Sequence, residues 1–321
     1  MESFAGRLAV VTGGGTGMGR ELVRQLAAEG CAVAMCDVIA ENMAETADLA
    51  LKDAPEGVRV TSHLCDVSIE EQVLRFRDEV LEQHQTDHVH LLFNNAGVGG
   101  GGSFVAGDRA EWERTFNICW GGVYLCSRAF LPLVIAADSG YIVNTSSVNG
   151  FFASLGQGMA HTAYPSAKFA VKGFTESLIE DLRLNAPHVK CAVVMPGHIG
   201  TSIVLNSRRV LAGSDSDEIT DEEIAVMKDG LVRRGIPADM APDDVRKLIT
   251  MMGEGFRDNA PTTAAQAATI ILDGVKAGEW RILVGDDAVA LDQAVRSDPI
   301  GVYGDSGQSI ASIVAAVQAQ T

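Results

Sequence analysis

The sequence predicts an α/β fold in which a doubly wound parallel sheet of about seven strands carries helices on both faces. Short apolar runs alternate with helix-like stretches of ten or more residues over the first two-thirds of the chain, as expected of repeated βαβ units. The runs are apolar at nearly every position, which is typical of strands that are covered on both faces. Right-handed crossovers then place the connecting helices on the two sides of one sheet.

The predicted elements follow in chain order. Leu8–Thr12 is a short apolar run that ends in glycines, so it predicts a buried first strand. Residues 19–29 come next, with Leu22, Val23 and Leu26 on one helical face. Further strands are predicted at residues 32–36, 58–65, 90–93, 141–145, 189–195 and 280–284. Further helices are predicted up to about residue 52 and over residues 69–84, 110–136, 163–184 and 264–277.

The alternation weakens in two places. Residues 202–260 form a long, acidic and irregular insertion with helical fragments at 222–231 and 243–252, and such an insertion predicts a functional lid. Residues 286–321 form a C-terminal extension with a short helix and a tail that contains glycine and serine. Because no repeat or linker interrupts the chain, residues 1–321 are interpreted as one domain with a core of about residues 6–285.

Composition narrows the class of protein. Hydrophobic residues make up 47% of the chain, enough for a sizeable core, and the formal net charge is −17. An acidic surface argues against nucleic acid and against anionic membranes as partners. No signal-peptide pattern opens the sequence, and the apolar run at 130–137 contains Pro132 and is too short to span a bilayer. A cytoplasmic location is therefore expected.

The six cysteines, at positions 31, 36, 65, 119, 126 and 191, include no CxxC pair. This spacing is typical of small core residues in a reducing compartment. No His/Cys cluster has the spacing of a zinc site, and the acidic stretch 215–223 is interpreted as the solvated start of a helix. We therefore expect no metal.

A glycine-rich turn, Thr12-Gly-Gly-Gly-Thr-Gly-Met-Gly19, connects the first strand to the first helix. Gly13, Gly17 and Gly19 allow a tight turn, close approach of the backbone to a pyrophosphate and close helix packing. The helix N-terminus adds free N–H groups and the positive end of a dipole. Because the strand and the helix are both in place, the turn predicts a dinucleotide site rather than a flexible loop.

Asp37 ends the second strand, at the position expected of a carboxylate that binds a ribose. Such a carboxylate accepts hydrogen bonds from the two ribose hydroxyls and repels a 2′-phosphate. No Arg or Lys precedes Gly17 in the glycine turn to offset that charge. The sequence therefore predicts NAD in preference to NADP; the alternative role for Asp37 is a helix N-cap.

Tyr164 and Lys168 lie four residues apart in Tyr-Pro-Ser-Ala-Lys, so they share one face of the predicted helix. A positive charge beside a phenol favours the phenolate and lowers the phenol pKa from its reference value of about 10. A phenol of this kind can act as a base near neutral pH. Taken alone, the pair could equally be a surface contact.

These features occur with others in an order that resembles the short-chain dehydrogenase/reductase family, in its compact single-domain form with a Rossmann-like fold. The shared motifs are TGGGTGMG at 12–19, Asp37, Asp66-Val67, NNAG at 94–97, Asn117, Ser147, YPSAK at 164–168 and PGHIGT at 196–201. The resemblance covers residues 6–284. The chain departs from the family pattern in a stretch at 148–163 that is about four residues longer, and in its C-terminal extension.

The resemblance implies a catalytic set of four residues. Tyr164 would be the general base in oxidation and the general acid in reduction, while Lys168 would lower its pKa and bind the nicotinamide ribose. Ser147 would bind the substrate oxygen, and it is preferred over Ser146 because the family places this serine second in such a pair. Asn117 would hold a water molecule that links Lys168 to solvent.

The resemblance also implies how NAD is bound. Asp66 would contact the adenine amino group beside Val67, and Ile199 and Thr201 would anchor the carboxamide. The full implied set is Thr12, Gly13, Thr16, Gly17, Met18, Gly19, Asp37, Val38, Asp66, Val67, Asn94, Ala96, Gly97, Tyr164, Lys168, Pro196, Gly197, Ile199 and Thr201. A homo-oligomer, either a tetramer or a dimer, is a further implication.

The sequence therefore predicts an NAD-dependent oxidoreductase that interconverts a secondary alcohol and a ketone. A hydrophobic substrate is favoured because the lid carries large apolar side chains, namely Ile203, Val204, Leu205, Met227 and Leu231. One alternative is an NADP-linked ketone reductase or a dehydratase or epimerase relative; another is a regulatory nucleotide-binding protein without turnover. His161 and His198, near the proposed site, are interpreted as structural or solvated.

Overall fold

The computed structural model describes residues 1–156, 159–212, 219–233, 239–304 and 310–318. The strands are β1 (Leu8–Thr12), β2 (Ala32–Asp37), β3 (Val60–Leu64), β4 (Leu91–Asn94), β5 (Gly140–Thr145), β6 (Val189–Pro196), β7 (Ile199–Gly200), β8 (Thr262–Thr263) and β9 (Arg281–Val284). The helices are α1 (Gly17–Ala28), α2 (Ala40–Asp53), α3 (Glu70–His84), α4 (Arg109–Phe116), α5 (Gly122–Ala136), α6 (Ala163–Asn185), α7 (Ile203–Ala212), α8 (Asp221–Arg233), α9 (Pro242–Asp258), α10 (Ala264–Ala277), α11 (Asp286–Ser297) and α12 (Ile310–Gln318).

Seven parallel strands of the described chain form one sheet in the order β3-β2-β1-β4-β5-β6-β9. β1 pairs with β2 on one side and with β4 on the other, so the strand order reverses between β1 and β4. In an open α/β sheet, such a reversal leaves a crevice at the carboxyl ends of the strands. β7 and β8 form a separate two-stranded ladder.

Both faces of the sheet are buried, and β1 shows how. Its odd and even residues point to opposite faces, so Val11 joins the cluster packed beneath α1 and α10, while Val10 joins the cluster beneath α3, α5 and α6. Both valines are fully buried. This arrangement explains why the strands are apolar at consecutive positions and confirms the predicted fold class.

The helical stretch at 109–136 is continuous, but it contains a π-helical turn over residues Asn117–Gly121. The N–H of Gly122 donates to the carbonyl of Asn117, five residues earlier. Such turns are frequent at functional sites. The sequence predicts a regular helix here because one wider turn leaves no signature in the apolar spacing.

By length and composition, the helix Arg109–Ala136 is apolar enough to cross a membrane. The sequence identifies only the run at 130–137, which is the end of this longer apolar segment. The prediction therefore missed the full length of the segment. Half of its most apolar part is buried, where Cys126, Phe130 and Val134 pack beneath the sheet. The core helix of a globular protein has the same composition.

The lid insertion is more regular than the sequence predicts, since three helices, α7, α8 and α9, occupy its described part. α8 and α9 share a small apolar cluster of Ile219, Ile224 and Val245, which stabilises them together. The side chain of Met227 and residues 215–218 of the acidic stretch lie outside the described residues.

The C-terminal extension also contains more structure than predicted. α11 follows β9 directly, a short 3₁₀ turn covers Gly301–Tyr303, and α12 follows. Ala288 and Leu291 of α11 are buried against Val148 and Phe152, which follow β5. The extension therefore packs on the part of its own chain that lies next to Ser147.

Candidate active site

A cleft of about 870 Å³, open to solvent, lies at the carboxyl ends of β1 to β4, where the strand order reverses. Twelve of the residues that the sequence assigns to the cofactor line it: Gly13, Thr16, Gly17, Met18, Gly19, Asp37, Val38, Asp66, Val67, Ala96, Gly97 and Thr201. Eight lining residues were not predicted from the sequence: Ile39, Cys65, Asn95, Val98, Ile118, Ile203, Asn206 and Val210. Most of these are apolar neighbours of motif residues, and position beside a motif is the one signal that could have found them.

The glycine turn has the geometry that a bound pyrophosphate needs. Gly13 and Gly17 have φ values of 66° and 56°, a region that side chains disfavour. A Cβ atom on Gly19 would lie 1.9 Å from the carbonyl oxygen of Gly13. Thr16, the N-cap of α1, makes no side-chain capping bond, so the N–H groups of the first turn stay available beside the cleft. These residues fit the phosphates of a dinucleotide.

Thr12 and Asn94 lie outside the cleft lining, although the sequence assigns both to the cofactor. The Thr12 hydroxyl accepts hydrogen bonds from the backbone N–H groups of Asn95 and Ala96, at 2.9 and 3.0 Å. Asn94 is buried and donates to Asn144 and Ser127. Asn95 instead lines the cleft and donates to the carbonyl of Thr12. Thr12 and Asn94 therefore shape the strand ends beneath the cleft.

The Asp37 carboxylate lies at the edge of the cleft and accepts three backbone hydrogen bonds. They come from Gly15, Val38 and Ile39, at 3.0, 2.8 and 3.2 Å. Burial raises the pKa of Asp37, while these three bonds oppose the rise. Asp37 does not cap α2, whose N-cap residue is Ile39.

Arg20, in the first turn of α1, is a basic side chain whose positive charge acts on this carboxylate. Its guanidinium donates to the carbonyl of Gly15 and the hydroxyl of Thr46, and it forms an ion pair with Glu45. These three partners hold the guanidinium, while the carboxylate of Asp37 faces the cleft.

Asp66, at the other side of the cleft, has strong partners of its own. Its carboxylate accepts two bonds from Ser68 and one from Arg114, the last at 2.7 Å. Burial would raise the pKa of Asp66, but the bonds from Ser68 and the charge of Arg114 outweigh it and lower the pKa. Asp66 is therefore ionised and held in one orientation beside Val67.

The lid closes one side of the cleft. Thr201 lies against Gly17, where an added Cβ atom would come within 3.1 Å of it. Asn206 of α7 donates to the hydroxyl of Thr16 at 2.9 Å, which joins the lid to the glycine turn. Three further residues assigned to the cofactor lie outside the cleft lining: Pro196 at the end of β6, Gly197 after it, and Ile199 at the start of β7.

Lys168 and Tyr164, on the first turns of α6, meet the end of β5 beyond the cleft. The Lys168 ammonium is buried, donates to the carbonyl of Thr145 at 2.8 Å and lies 5.4 Å from the centroid of the Tyr164 ring. Burial lowers the pKa of Lys168. An added Cβ atom on Gly97 would lie 3.5 Å from the Lys168 nitrogen, so this group adjoins the cleft.

The two serines after β5 have different partners. The Ser146 hydroxyl donates to the carbonyl of Lys168 at 2.7 Å, inside the protein. The Ser147 hydroxyl accepts from the backbone N–H of Asn149 at 3.1 Å and interacts with the phenol of Tyr164. Of the two hydroxyls, that of Ser147 therefore faces the phenol.

The electrostatics of Tyr164 differ from the prediction. Burial raises the pKa of Tyr164, and the hydrogen bond with Ser147 lowers it. The sequence predicts a lowering by Lys168, but burial dominates here because both groups are removed from water. A positive charge brought next to the phenol would oppose this effect.

The two nearby histidines have different surroundings. The ring of His198 bonds the carbonyl of Phe256 at 2.7 Å, which is a structural role. The ring of His161 packs against that of Tyr164 at a tilt of 31°, with 5.2 Å between the centroids. Burial lowers the pKa of His161 to about 4, so this imidazole is neutral at pH 7.

Asn117 begins the π-helical turn, which packs against α6, and its side chain is exposed. The backbone carbonyl of Asn117 accepts the hydrogen bond from the N–H of Gly122, five residues later. The wider helical turn that Asn117 begins therefore lies next to the helix that carries Tyr164 and Lys168.

Within the described ranges, no group of three or more His, Cys, Asp or Glu side chains could hold a metal ion. All six cysteines are free and buried, as predicted for core residues.

Comparisons with known proteins identify the family to which the chain belongs. Residues 7–210 match the family model described as short chain dehydrogenase. The oxidoreductase SadH of Mycobacterium tuberculosis is 33% identical over 296 residues, which are 92% of each chain. A short chain dehydrogenase/reductase of Burkholderia phymatum in complex with NAD has a TM-score of 0.73 and 27% identity, covering 93% of this chain and 96% of its own. A metagenomic short-chain oxidoreductase in complex with NADP has a TM-score of 0.56 and 26% identity, covering 88% and 97%.

A doubly wound sheet with a glycine cleft and a Ser-Tyr-Lys group defines an oxidoreductase fold that binds a nicotinamide dinucleotide. The chain belongs to the short-chain dehydrogenase/reductase family, whose members act on small molecules. Relatives in this family bind NAD or NADP.

Proposed function

We propose that the protein is an NAD-dependent dehydrogenase that interconverts a secondary alcohol and a ketone. One observation carries the proposal: Ser147, Tyr164 and Lys168 converge at the end of a glycine-lined cleft with Asp37 at its edge. The three side chains supply a hydroxyl, a phenol and an ammonium close to one another, and Ser147 and Lys168 are buried. This set can bind a carbinol oxygen and remove its proton.

Each residue has a part in the proton transfer. Ser147 donates to or accepts from the substrate oxygen and keeps it next to Tyr164. Tyr164 takes the hydroxyl proton in oxidation and returns it in reduction. Lys168 stabilises the phenolate by its charge. The glycine turn and Asp37 would hold NAD, which when bound would accept the hydride and bring a positive charge that favours the phenolate of Tyr164.

NAD is proposed over NADP because Asp37 presents a carboxylate to the ribose end of the cleft. The nearby guanidinium of Arg20 is already bound by Gly15, Thr46 and Glu45. A 2′-phosphate would meet the carboxylate without a free cation next to it. An NADP-linked reductase is the rival within this family, and a measured preference for NADP would favour it.

A hydrophobic substrate is part of the same proposal. Ile203 and Val210 of the lid line the cleft, and Leu205 packs against Gly253 of α9. We further propose a cytoplasmic homo-oligomer without nucleic-acid or membrane partners, in keeping with the acidic composition and the family.

The test is NADH formation from NAD with a panel of hydrophobic secondary alcohols. Tyr164→Phe should lower the rate by a factor of at least about 10² to 10⁴ because the base is lost. The dissociation constant for NAD, measured by calorimetry, should remain within about twofold, since Tyr164 lies outside the cleft lining. Tyr124→Phe is the matched control, because it removes the same hydroxyl from an exposed position on α5.

Equal activity of the Tyr164→Phe variant and the unsubstituted protein would refute the assigned base. If the protein binds NAD tightly but oxidises neither the hydrophobic alcohols of the panel nor small polar alcohols, the regulatory alternative is favoured.

A further inference from the structure

The C-terminal segment, defined here as residues 286–304, packs against the serine loop, defined as residues 147–153. Val148 and Phe152 of the serine loop are buried in one apolar cluster with Leu291 and Val302 of the C-terminal segment. Phe152 is fully buried there, although it lies only five residues after the catalytic serine. The serine loop therefore owes much of its burial to residues about 140 positions further along the chain.

A continuous series of contacts runs from Tyr303 to the Ser147 hydroxyl. The Tyr303 ring packs on Phe152 with 4.8 Å between centroids, and its hydroxyl accepts from the backbone N–H of Ala153 at 3.2 Å. The Asn149 side chain donates to the carbonyl of Phe152 at 2.9 Å. The backbone N–H of Asn149 donates to the Ser147 hydroxyl at 3.1 Å. Each link sets the position of the next.

The same segment also holds the loop that follows β6. The Asp287 carboxylate accepts a 2.6 Å hydrogen bond from the backbone N–H of His198. It lies so close to Gly197 that an added Cβ atom there would come within 2.2 Å of it. The C-terminal segment therefore contacts both loops that flank the end of the cleft where Tyr164 lies.

We infer that the C-terminal segment positions the catalytic serine, with Tyr303 and Asn149 acting as positioning residues that hold the serine loop. The inference rests on the proposed function and extends it to residues that no motif identifies. It predicts that the hydroxyl of Ser147 stays aligned with substrate and Tyr164 only while Tyr303 holds Phe152 and Ala153. Because Ser147 lowers the pKa of Tyr164, loosening the serine loop should raise that pKa.

The experiment compares Tyr303→Phe and Asn149→Ala with Tyr141→Phe as the matched control. Tyr141 donates from its hydroxyl to the carbonyl of Glu279 at 2.6 Å, away from the serine loop. Tyr303→Phe and Tyr141→Phe therefore each remove one hydrogen bond between a hydroxyl and the backbone. Loss of a bond of this kind should lower kcat/KM for the alcohol roughly three- to tenfold in Tyr303→Phe and Asn149→Ala only.

Two further measurements separate positioning from general destabilisation. The acidic limb of the kcat/KM pH profile should move to higher pH in Tyr303→Phe and Asn149→Ala, and stay in place in Tyr141→Phe. Hydrogen exchange should quicken in residues 147–153 of the first two variants, while the dissociation constant for NAD stays within about twofold.

Unchanged exchange in the serine loop of Tyr303→Phe would overturn the inference, whatever the activity. Faster exchange with an unchanged kcat/KM and pH profile would also overturn it, because the contact would then have no effect on the site. If the unsubstituted protein oxidises no alcohol, the proposed function fails, and the exchange measurement alone decides whether the C-terminal segment holds the serine loop.

Discussion

Asparagine in place of Asp37 should turn a preference for NAD into tolerance of NADP. The side-chain oxygen of the asparagine can still accept hydrogen bonds from the N–H groups of Val38 and Ile39. Its NH₂ group, however, would face the N–H of Gly15, and neither group can accept a hydrogen bond. It removes the negative charge at the edge of the cleft and leaves Arg20 with its present partners. The change in cofactor preference therefore reports the charge of Asp37.

The magnitude follows from Coulomb's law. Two unit charges about 5 Å apart repel by about 3 kcal/mol at an effective dielectric constant of about 20. Because the cleft is open to solvent, screening reduces this to about 2 kcal/mol, which is a factor of roughly 30 in the ratio of kcat/KM for NADP over NAD. The unpaired N–H of Gly15 should also cost about 1–3 kcal/mol of the free energy of unfolding.

The assay measures kcat/KM for NAD and NADP at a fixed alcohol concentration, with Asp48→Asn as control. Asp48 is exposed on α2, so its substitution removes the same charge without touching the cleft. Because burial raises the pKa of Asp37, the preference for NAD should weaken as the pH falls. A preference for NADP in the unsubstituted protein, or an equal shift in both variants, would refute the reasoning.

Two predictions concern stability. Gly19→Ala should lower the melting temperature and abolish NAD binding, because the new Cβ atom would lie 1.9 Å from the carbonyl oxygen of Gly13. Gly173→Ala lies in an exposed and open part of α6, so it should instead stabilise the protein by about 1 kcal/mol. Burial lowers the pKa of His90 to about 4, and its ring accepts a hydrogen bond from the N–H of Leu8. As the pH falls, the unfolded chain therefore protonates His90 before the folded protein does. The free energy of unfolding should decrease between about pH 6.5 and 4.

Thermal denaturation checks the glycine pair, and equal melting temperatures for the two variants would contradict the steric argument. Urea unfolding across the pH range checks His90. A His90→Gln variant should lose part of the pH dependence, with the remainder due to groups such as His84, whose pKa burial also lowers to about 4. An unchanged pH dependence in His90→Gln would contradict the assignment.

The fold could be predicted from the sequence because its signals are local and periodic. β1 matches the predicted residues 8–12, and α6 matches 163–184 to within one residue. The strand predicted at 58–65 is shorter, Val60–Leu64, because its hydrogen-bonded ladder with β2 ends at Asp37, where β2 itself ends. Apolar runs identify buried strands well and locate their ends less well.

The parts that escaped prediction depend on distant contacts. The roles of Thr12 and Asn94 beneath the cleft follow from bonds that join separate strand ends, and no spacing in the sequence shows them. The lid is helical because α8 and α9 bury residues against each other, so its acidic composition misled the interpretation of an irregular insertion. Tyr303 lies about 150 residues from the loop it contacts.

The packing of α10 on α1 has a consequence for synthesis. Gln25 of α1 donates to the carbonyl of Ala265, and Glu29 pairs with Lys276 at 2.7 Å. The side of α1 that packs on α10 is therefore covered only when residues near 275 have left the ribosome, long after the glycine turn has been made. Until then the nascent chain exposes that apolar side of α1, and exposed apolar surface of this kind favours aggregation.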